Sequence, residues 1–239
     1  MTDIIWHQLP KDLSLLIYRY AETDRLKPWV KEIEPISWYW LSLNSSAIDL
    51  LKANPDKINW TCLSLNSSAI HLLKANLNKI DWVWLSGNPS AIELLKANPD
   101  KINYTWLSTN PSAMDLLMAN PDKIDYYGLS ANPSAMDLLM ANPDKINWRM
   151  LSRNSSAIKL LKANPDKIDW YELSKNTSAL DLLKANPDKI NWYWIPSNPS
   201  LIELLEENPT KIYKETIWAN PAIFEPKVDY YSLLMQVSF

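Results

Sequence analysis

Residues 88–109 read NPSAIELLKANPDKINYTWLST, and closely similar 22-residue units precede and follow them. The Leu-Ser pair near the end of the unit returns every 22 residues from Leu41 to Leu173, and Ile195-Pro196 continues the series. The period covers about residues 33–225. A fixed period of this length is typical of repeat proteins, in which each unit buries its apolar face against its neighbours.

Each unit contains two signals for the start of a helix, Asn88-Pro89-Ser90 and Asn98-Pro99-Asp100 in the quoted copy. Asn is a preferred N-cap, Pro fits the first helical position, and Asp suits the positive end of the helix dipole. The residues after the first signal carry a wide apolar stripe at helical spacing. We therefore predict an all-α fold, an elongated α-solenoid of about nine two-helix repeats over residues 36–225. Residues 1–35 and 226–239 do not repeat and are predicted to cap its two ends.

A leucine-rich-repeat-like α/β solenoid is the alternative, because 22 residues is also a leucine-rich-repeat period. Ile-Asn-Trp-x-x-Leu-Ser would then be a strand and Ser-Ala-Ile-Asp-Leu-Leu a convex helix. The Pro-Asp-Lys opening and the missing second strand leucine favour the helical fold. The sequence leaves open whether the second segment of each unit is an α-helix, a 3₁₀-helix or a strand.

Three kinds of nearly constant position recur in the units. An aromatic column is interpreted as core, with a ladder that stacks on sugars as its functional alternative. Two asparagine columns are interpreted as caps, and they could also bond between adjacent turns. A lysine column that mostly follows Asp is interpreted as a solvated face. The aromatic column is Trp38, Trp60, Trp82, Tyr104, Tyr126, Trp148, Trp170 and Trp192.

Three columns vary between copies while their surroundings stay nearly fixed, which indicates a surface that tolerates change. The first and second follow the aromatic residue directly, and the third lies two residues beyond the Leu of the Leu-Ser pair, from Leu43 through Gly87, Ala131 and Arg153 to Ser197. In repeat proteins such a surface is often the recognition face, and exposed aromatic residues commonly mark partner sites. The alternative is that the tryptophans of the second column fold back onto the next unit. The predicted partner-binding residues are Tyr39, Trp40, Val83, Trp84, Trp106, Tyr127, Arg149, Met150, Tyr171, Tyr193 and Trp194.

Composition narrows the function further. The net charge of −3 argues against nucleic acid as a partner, and the chain has one Cys, two His and two Gly. These counts predict no metal site, no cofactor, no phosphate-binding loop and no catalytic constellation, so we expect a protein that is not an enzyme. No stretch approaches the ~20 apolar residues that span a bilayer, and the N-terminus lacks the pattern of a secretory signal. We expect a cytoplasmic monomer that does not bind membranes.

The units, together with the closing ANPAIFE at residues 219–225, resemble uncharacterised tandem-repeat proteins of giant DNA viruses and their relatives. The resemblance covers about four fifths of the chain and implies a viral origin and a repeat type, with no activity to transfer. The tail after Pro226 is shorter than in that group. Leu9-Pro10-Lys11-Asp12-Leu13 also resembles the opening of an F-box over about a dozen residues. The function we expect is protein binding, with a structural role in the virus particle, glycan binding and an F-box-like adaptor as alternatives.

Overall fold

A computed structural model of the chain describes residues 36–224. The predicted caps at residues 1–35 and 226–239, and the F-box resemblance, lie outside the described residues. Within them the repeat is regular, and each of the first seven 22-residue copies, from residues 38–59 onward, contains two short α-helices connected by turns, many of them 3₁₀. The prediction of an all-α repeat fold is confirmed.

The first helix of a copy begins at the aromatic column and the second follows the Asn-Pro-Ser-like turn. The first helices are Trp38–Leu43, Trp60–Leu65, Trp82–Ser86, Tyr104–Thr109, Tyr126–Ser130, Trp148–Ser152 and Trp170–Leu173. The second helices are Ile48–Ala53, Ile70–Lys74, Ile92–Lys96, Met114–Met118, Met136–Met140, Ile158–Ala163, Leu180–Lys184 and Ile202–Glu207. In the last two copies the 3₁₀ turns Ile195–Ser197 and Thr216–Ala219 occupy the place of the first helix.

The Pro-Asp-Lys segment is a single 3₁₀ turn, such as Pro99–Lys101, and does not lead directly into the next helix. Two extended residues follow, and the second of them caps the first helix: the Asn103 side chain accepts from the backbone N–H of Trp106. Asp81 does the same in its copy. The interpretation of the Asn98 column as N-caps is wrong, because the Asn98 amide instead donates to the Leu94 carbonyl at the end of the preceding helix.

The leucine-rich-repeat alternative is also wrong, because most of its strand segment is helical. The segment that it made a strand has extended backbone only at its first two residues, Ile58 and Asn59 in one copy. From Trp60 onward the chain is helical, because the Asn59 side chain caps the orphan N–H groups of a helix that buries Leu63 and Ser64. The open question about the second segment is answered: it is a 3₁₀ turn, two extended residues and then an α-helix.

A ladder of buried asparagines joins the copies. Asn66 illustrates it: its side-chain oxygen accepts from the Ser68 backbone N–H, and its amide donates to the carbonyls of Ser42 and Asn44 in the preceding copy, at 3.0 Å each. These bonds satisfy buried backbone groups that would otherwise be unpaired. The expectation that this column caps turns and also bonds between copies is confirmed. Equivalent bonds are made by Asn44, Asn66, Asn88, Asn110, Asn132, Asn154, Asn176, Asn198 and Asn220.

A serine column adds a bond that holds the residue capping the first helix of the next copy. The Ser86 hydroxyl donates to the Trp82 carbonyl four residues earlier and accepts from the Asn103 backbone N–H at the next helix start, at 2.9 Å. Both partners are backbone groups near helix ends, where such bonds are otherwise missing. The core behind them is built from fully buried leucines such as Leu85 and Leu95, one from each helix of the copy.

The ends of the array meet. The Asn44 amide, in the first copy, donates to the carbonyls of Trp218 and Asn220 in the last copy, at 3.0 and 2.9 Å. The 3₁₀ turn Thr216–Ala219 packs directly on the helix Trp38–Leu43. The first copy therefore packs on the last copy as every other copy packs on the one before it, and the described array is a closed ring. The elongated shape predicted for the solenoid is wrong, because a small rotation at each joint accumulates into closure.

Candidate binding site at the centre of the ring

The third variable column identifies the inner side of the ring. Side chains at equivalent positions diverge on the outside of a closed ring and converge on its inside. One cavity is lined by this column from five consecutive copies, together with residues of the other two variable columns. The third-column residues at the cavity are Leu65, Gly87, Thr109, Ala131 and Arg153. The columns that vary most therefore face a shared inner space.

The first variable column holds the exposed residues among those predicted to bind a partner. Tyr39, Val83, Tyr127 and Tyr171 are 44%, 43%, 50% and 41% exposed. They occur at the same position in every second copy and so define one edge of the ring, and Tyr127 also lines the cavity. Arg149 is also exposed, and Tyr193 is half-buried.

The second variable column points inward. Its predicted residues are all half-buried, and several contact one another: Trp84 stacks on Trp106 with ring centroids 5.0 Å apart, and Trp40 meets Trp194 edge to face at 6.1 Å. The latter pair bridges the first and eighth copies across the closing joint. These tryptophans fold onto neighbouring copies rather than standing free on a surface. The half-buried set is Trp40, Trp84, Trp106, Met150 and Trp194.

One sector of the inner space is filled and carries a charge cluster. The buried Glu172 carboxylate receives Lys175 Nζ at 3.0 Å and Arg149 Nη2 at 3.6 Å. Lys175 Nζ also lies 4.3 Å from the centroid of the Trp194 ring. A buried carboxylate requires such partners because an unpaired charge out of water is costly.

The neighbouring sector is open. Its cavity has a volume of about 330 Å³, within the usual range of ~300–1,000 Å³ for small-ligand sites. The walls are apolar and aromatic, from Trp106, Tyr127 and Met150. Arg153 supplies a positive charge. Arg153 is exposed, and no carboxylate of the described residues lies within ion-pair distance of it, in contrast to Arg149 and Lys175.

Both glycines of the chain line this cavity. A Cβ atom on Gly128 would lie 2.6 Å from the Thr105 carbonyl oxygen, which no side chain tolerates without a backbone shift. A Cβ on Gly87 would meet side-chain atoms of Leu65 and Trp106 at 3.1 Å. Glycine thus allows close packing of two neighbouring helices and, with Ala131, keeps bulk out of the open sector.

Cys62 is buried against the ring interior, and burial raises the pKa of its thiol, an effect that a hydrogen bond with Tyr39 partly offsets. The same hydrogen bond is the main reason why the pKa of the Tyr39 hydroxyl is raised. Cys62 is therefore a neutral packing group near neutral pH, because the thiolate is the reactive form. His71 lies exposed on a second helix.

The aromatic column is half-buried against the core, and lysines of the same copy cover it. Lys101 Nζ, for example, lies 4.5 Å from the centroid of the Trp82 ring. Six further pairs repeat this geometry, at 4.3 to 4.7 Å. The lysine column is thus exposed, as expected, but it also lies over the ring faces. Because lysine side chains cover its ring faces, the aromatic column is poorly suited to the sugar stacking that the glycan alternative requires.

The sequence marked the third column as variable, yet its residues were not among the predicted site residues. Two signals pointed to them: the chain's two glycines both fall in variable columns, and Arg153 occupies a position that is small or apolar in most copies.

No protein-family model matches the chain, and no curated protein or solved structure matches it either. Among residues 36–224, no helix has the length and apolar character needed to cross a membrane.

Proposed function

We propose that the protein is a non-enzymatic binding scaffold that holds a protein partner on the ring edge formed by the first variable column. The observation that supports it is the exposure of Tyr39, Val83, Tyr127 and Tyr171 at between 41% and 50%, at the same position of alternate copies. Tyrosine is enriched at protein interfaces because it offers large apolar area and a polar tip.

The rigid backing of this edge favours the same function. Tyr39, Tyr171 and Tyr193 each meet a tryptophan of the second variable column edge to face, at 4.9 to 6.0 Å between ring centroids. A side chain that is already held in place loses less conformational entropy when a partner binds. The half-buried tryptophans therefore support the exposed residues from behind, and Arg149 adds a charged group that can orient the partner.

Affinity capture with mass spectrometry tests the proposal, with the wild-type chain and a double variant, Val83→Ser with Tyr171→Ser. The matched control removes exposed apolar groups elsewhere, through Leu77→Ser with Met118→Ser, which are 53% and 56% exposed. We expect a partner that the control retains and the first variant loses. Retention by both variants would contradict binding through this edge.

The resemblance to giant-virus repeat proteins suggests that the protein acts in the host cytoplasm or in a virus particle. A particle component would hold its partner permanently, whereas a cytoplasmic scaffold would not. Immunoblotting of purified particles against infected-cell lysate separates the two.

A further inference from the structure

We propose that the open sector of the ring interior binds a small planar acid, a flat aromatic or apolar group that carries one carboxylate. This site is distinct from the protein-binding edge. The two share only Tyr127, which is exposed on the edge and also lines the cavity. The inference does not depend on the proposed function, because the residues tested below lie in other columns.

The cavity follows from small residues at positions that are large elsewhere in the ring. In the second variable column Gly128 stands where four other copies have tryptophan. In the third, Gly87 and Ala131 stand where the first two copies have leucine. The neighbouring sector is filled by Trp40, Trp194 and the ion pair of Glu172 with Lys175. The open space is therefore encoded by individual residues and is not a general consequence of ring closure.

The walls select a flat apolar group. Trp106 is fixed from behind by its stacking on Trp84, and Tyr127 and Met150 complete the surface. Aromatic rings and the methionine sulfur both make favourable contacts with aromatic ligands. The Thr109 hydroxyl is already committed, since it donates to the Trp106 carbonyl at 2.8 Å. Arg153 is the one charged side chain among the residues that line the cavity, so the recognition of an anionic group falls to it.

Arg153 selects an anion. Each of the other two cations near the ring interior, Arg149 and Lys175, has the Glu172 carboxylate as a partner. Arg153 has no such partner among the described residues, and it stands at the edge of an apolar cavity. A guanidinium matches a carboxylate in two parallel hydrogen bonds, which is a strong charge-assisted interaction. One carboxylate on a flat group satisfies both the walls and the charge.

Isothermal titration calorimetry with 2-naphthoate tests the inference, and 2-naphthamide serves as the neutral probe of the same shape. We expect 2-naphthoate to bind at least about tenfold more tightly than the amide, because a hydrogen bond to a charged group is lost with the amide. Arg153→Met should weaken naphthoate binding by a similar factor, and Arg153→Lys should retain part of it. Lys159→Met, in the second helix of the same copy, removes an equal charge away from the cavity and should change nothing.

A variant that fills the cavity provides a second test of the inference. Ala131→Leu introduces a residue that Leu43 and Leu65 already carry in the same column, so the fold should be retained, and circular dichroism checks this. We expect this variant to lose naphthoate binding. Equal affinity of the wild-type chain, Arg153→Met and Ala131→Leu would place the probe elsewhere and overturn the inference. Absence of wild-type binding up to millimolar probe would overturn it as well.

Discussion

Two kinds of joint between neighbouring copies hold the ring together, and they differ in the contacts that they use. At a regular joint, covalently continuous copies share the asparagine ladder and the serine bond, as Ser86, Asn88 and Asn110 do. The closing joint has no peptide link within the described residues. It keeps the ladder, through Asn44, but Trp218 occupies the serine position of the last copy and is 1% exposed.

The difference shows what closure requires. Trp218 replaces a hydrogen-bonding hydroxyl by a large apolar surface, and its indole Nε1–H has no acceptor among the described residues. Burial of a tryptophan is worth several kcal/mol, which exceeds the ~1 kcal/mol of one hydrogen bond. The joint that lacks chain continuity therefore combines the asparagine bonds with a buried tryptophan in place of the serine bond.

The largest effect is expected from changing the number of copies. Deleting residues 126–147, one complete copy, forces every remaining joint to turn further or leaves the ring open with Trp218 exposed. We expect a loss of stability on the order of 5 kcal/mol, since loss of a buried tryptophan contact alone costs about 3–5 kcal/mol. At ~2–4 °C per kcal/mol for a chain of this size, the melting temperature should fall by ~10 °C or more. Thermal unfolding followed by circular dichroism measures it.

The control for this deletion keeps the number of copies. A chimera in which residues 104–125 also replace residues 126–147, with Gly128 retained because a side chain there would meet the Thr105 carbonyl, should melt close to the wild type. Light scattering should give the wild-type mass of 27.6 kDa, because the closed ring leaves no unpaired repeat end in the described residues to join a second chain. In an open solenoid the deletion would have only a small effect, and that outcome would contradict closure.

A pair of asparagine variants compares the two joints directly. Asn44→Ala acts at the closing joint and Asn110→Ala at a regular one, and each removes two bonds to buried carbonyls of the neighbouring copy. A buried group left unpaired costs about 1–3 kcal/mol, so we expect each variant to lose about 2–4 kcal/mol in urea unfolding. If the ring is closed, the two losses agree within ~1 kcal/mol. A near-zero loss for Asn44→Ala alone would mean that the ends do not meet.

The sequence predicted the repeat and its helices well, because the Asn-Pro punctuation and the apolar stripe are local signals. It did not predict closure, because curvature depends on a small rotation at each joint that no single copy encodes. The trace of closure in the sequence was Trp218, in a column that is serine in the first seven copies and proline in the eighth. For the same reason the sequence left open whether Trp84 and Trp106 bind a partner or fold back onto the next copy, since a variable column on the inside of a ring looks like a variable surface column.

The smallest effect is expected at the lysines over the aromatic column. Lys123 Nζ lies 4.7 Å from the centroid of the Tyr104 ring, and seven copies carry such a pair. The last copy has Lys214 where the others have the aromatic residue, so the pair belongs to the regular part of the ring. Lys123→Met should destabilise the chain by about 0.5–1 kcal/mol, the usual size of an exposed cation–π contact. Lys74→Met, on an outer helix surface, should change urea unfolding less. Equal effects of the two variants would show that the lysines act only as solvated charges, and the regular joints would then rest on the asparagine and serine bonds and the leucine core.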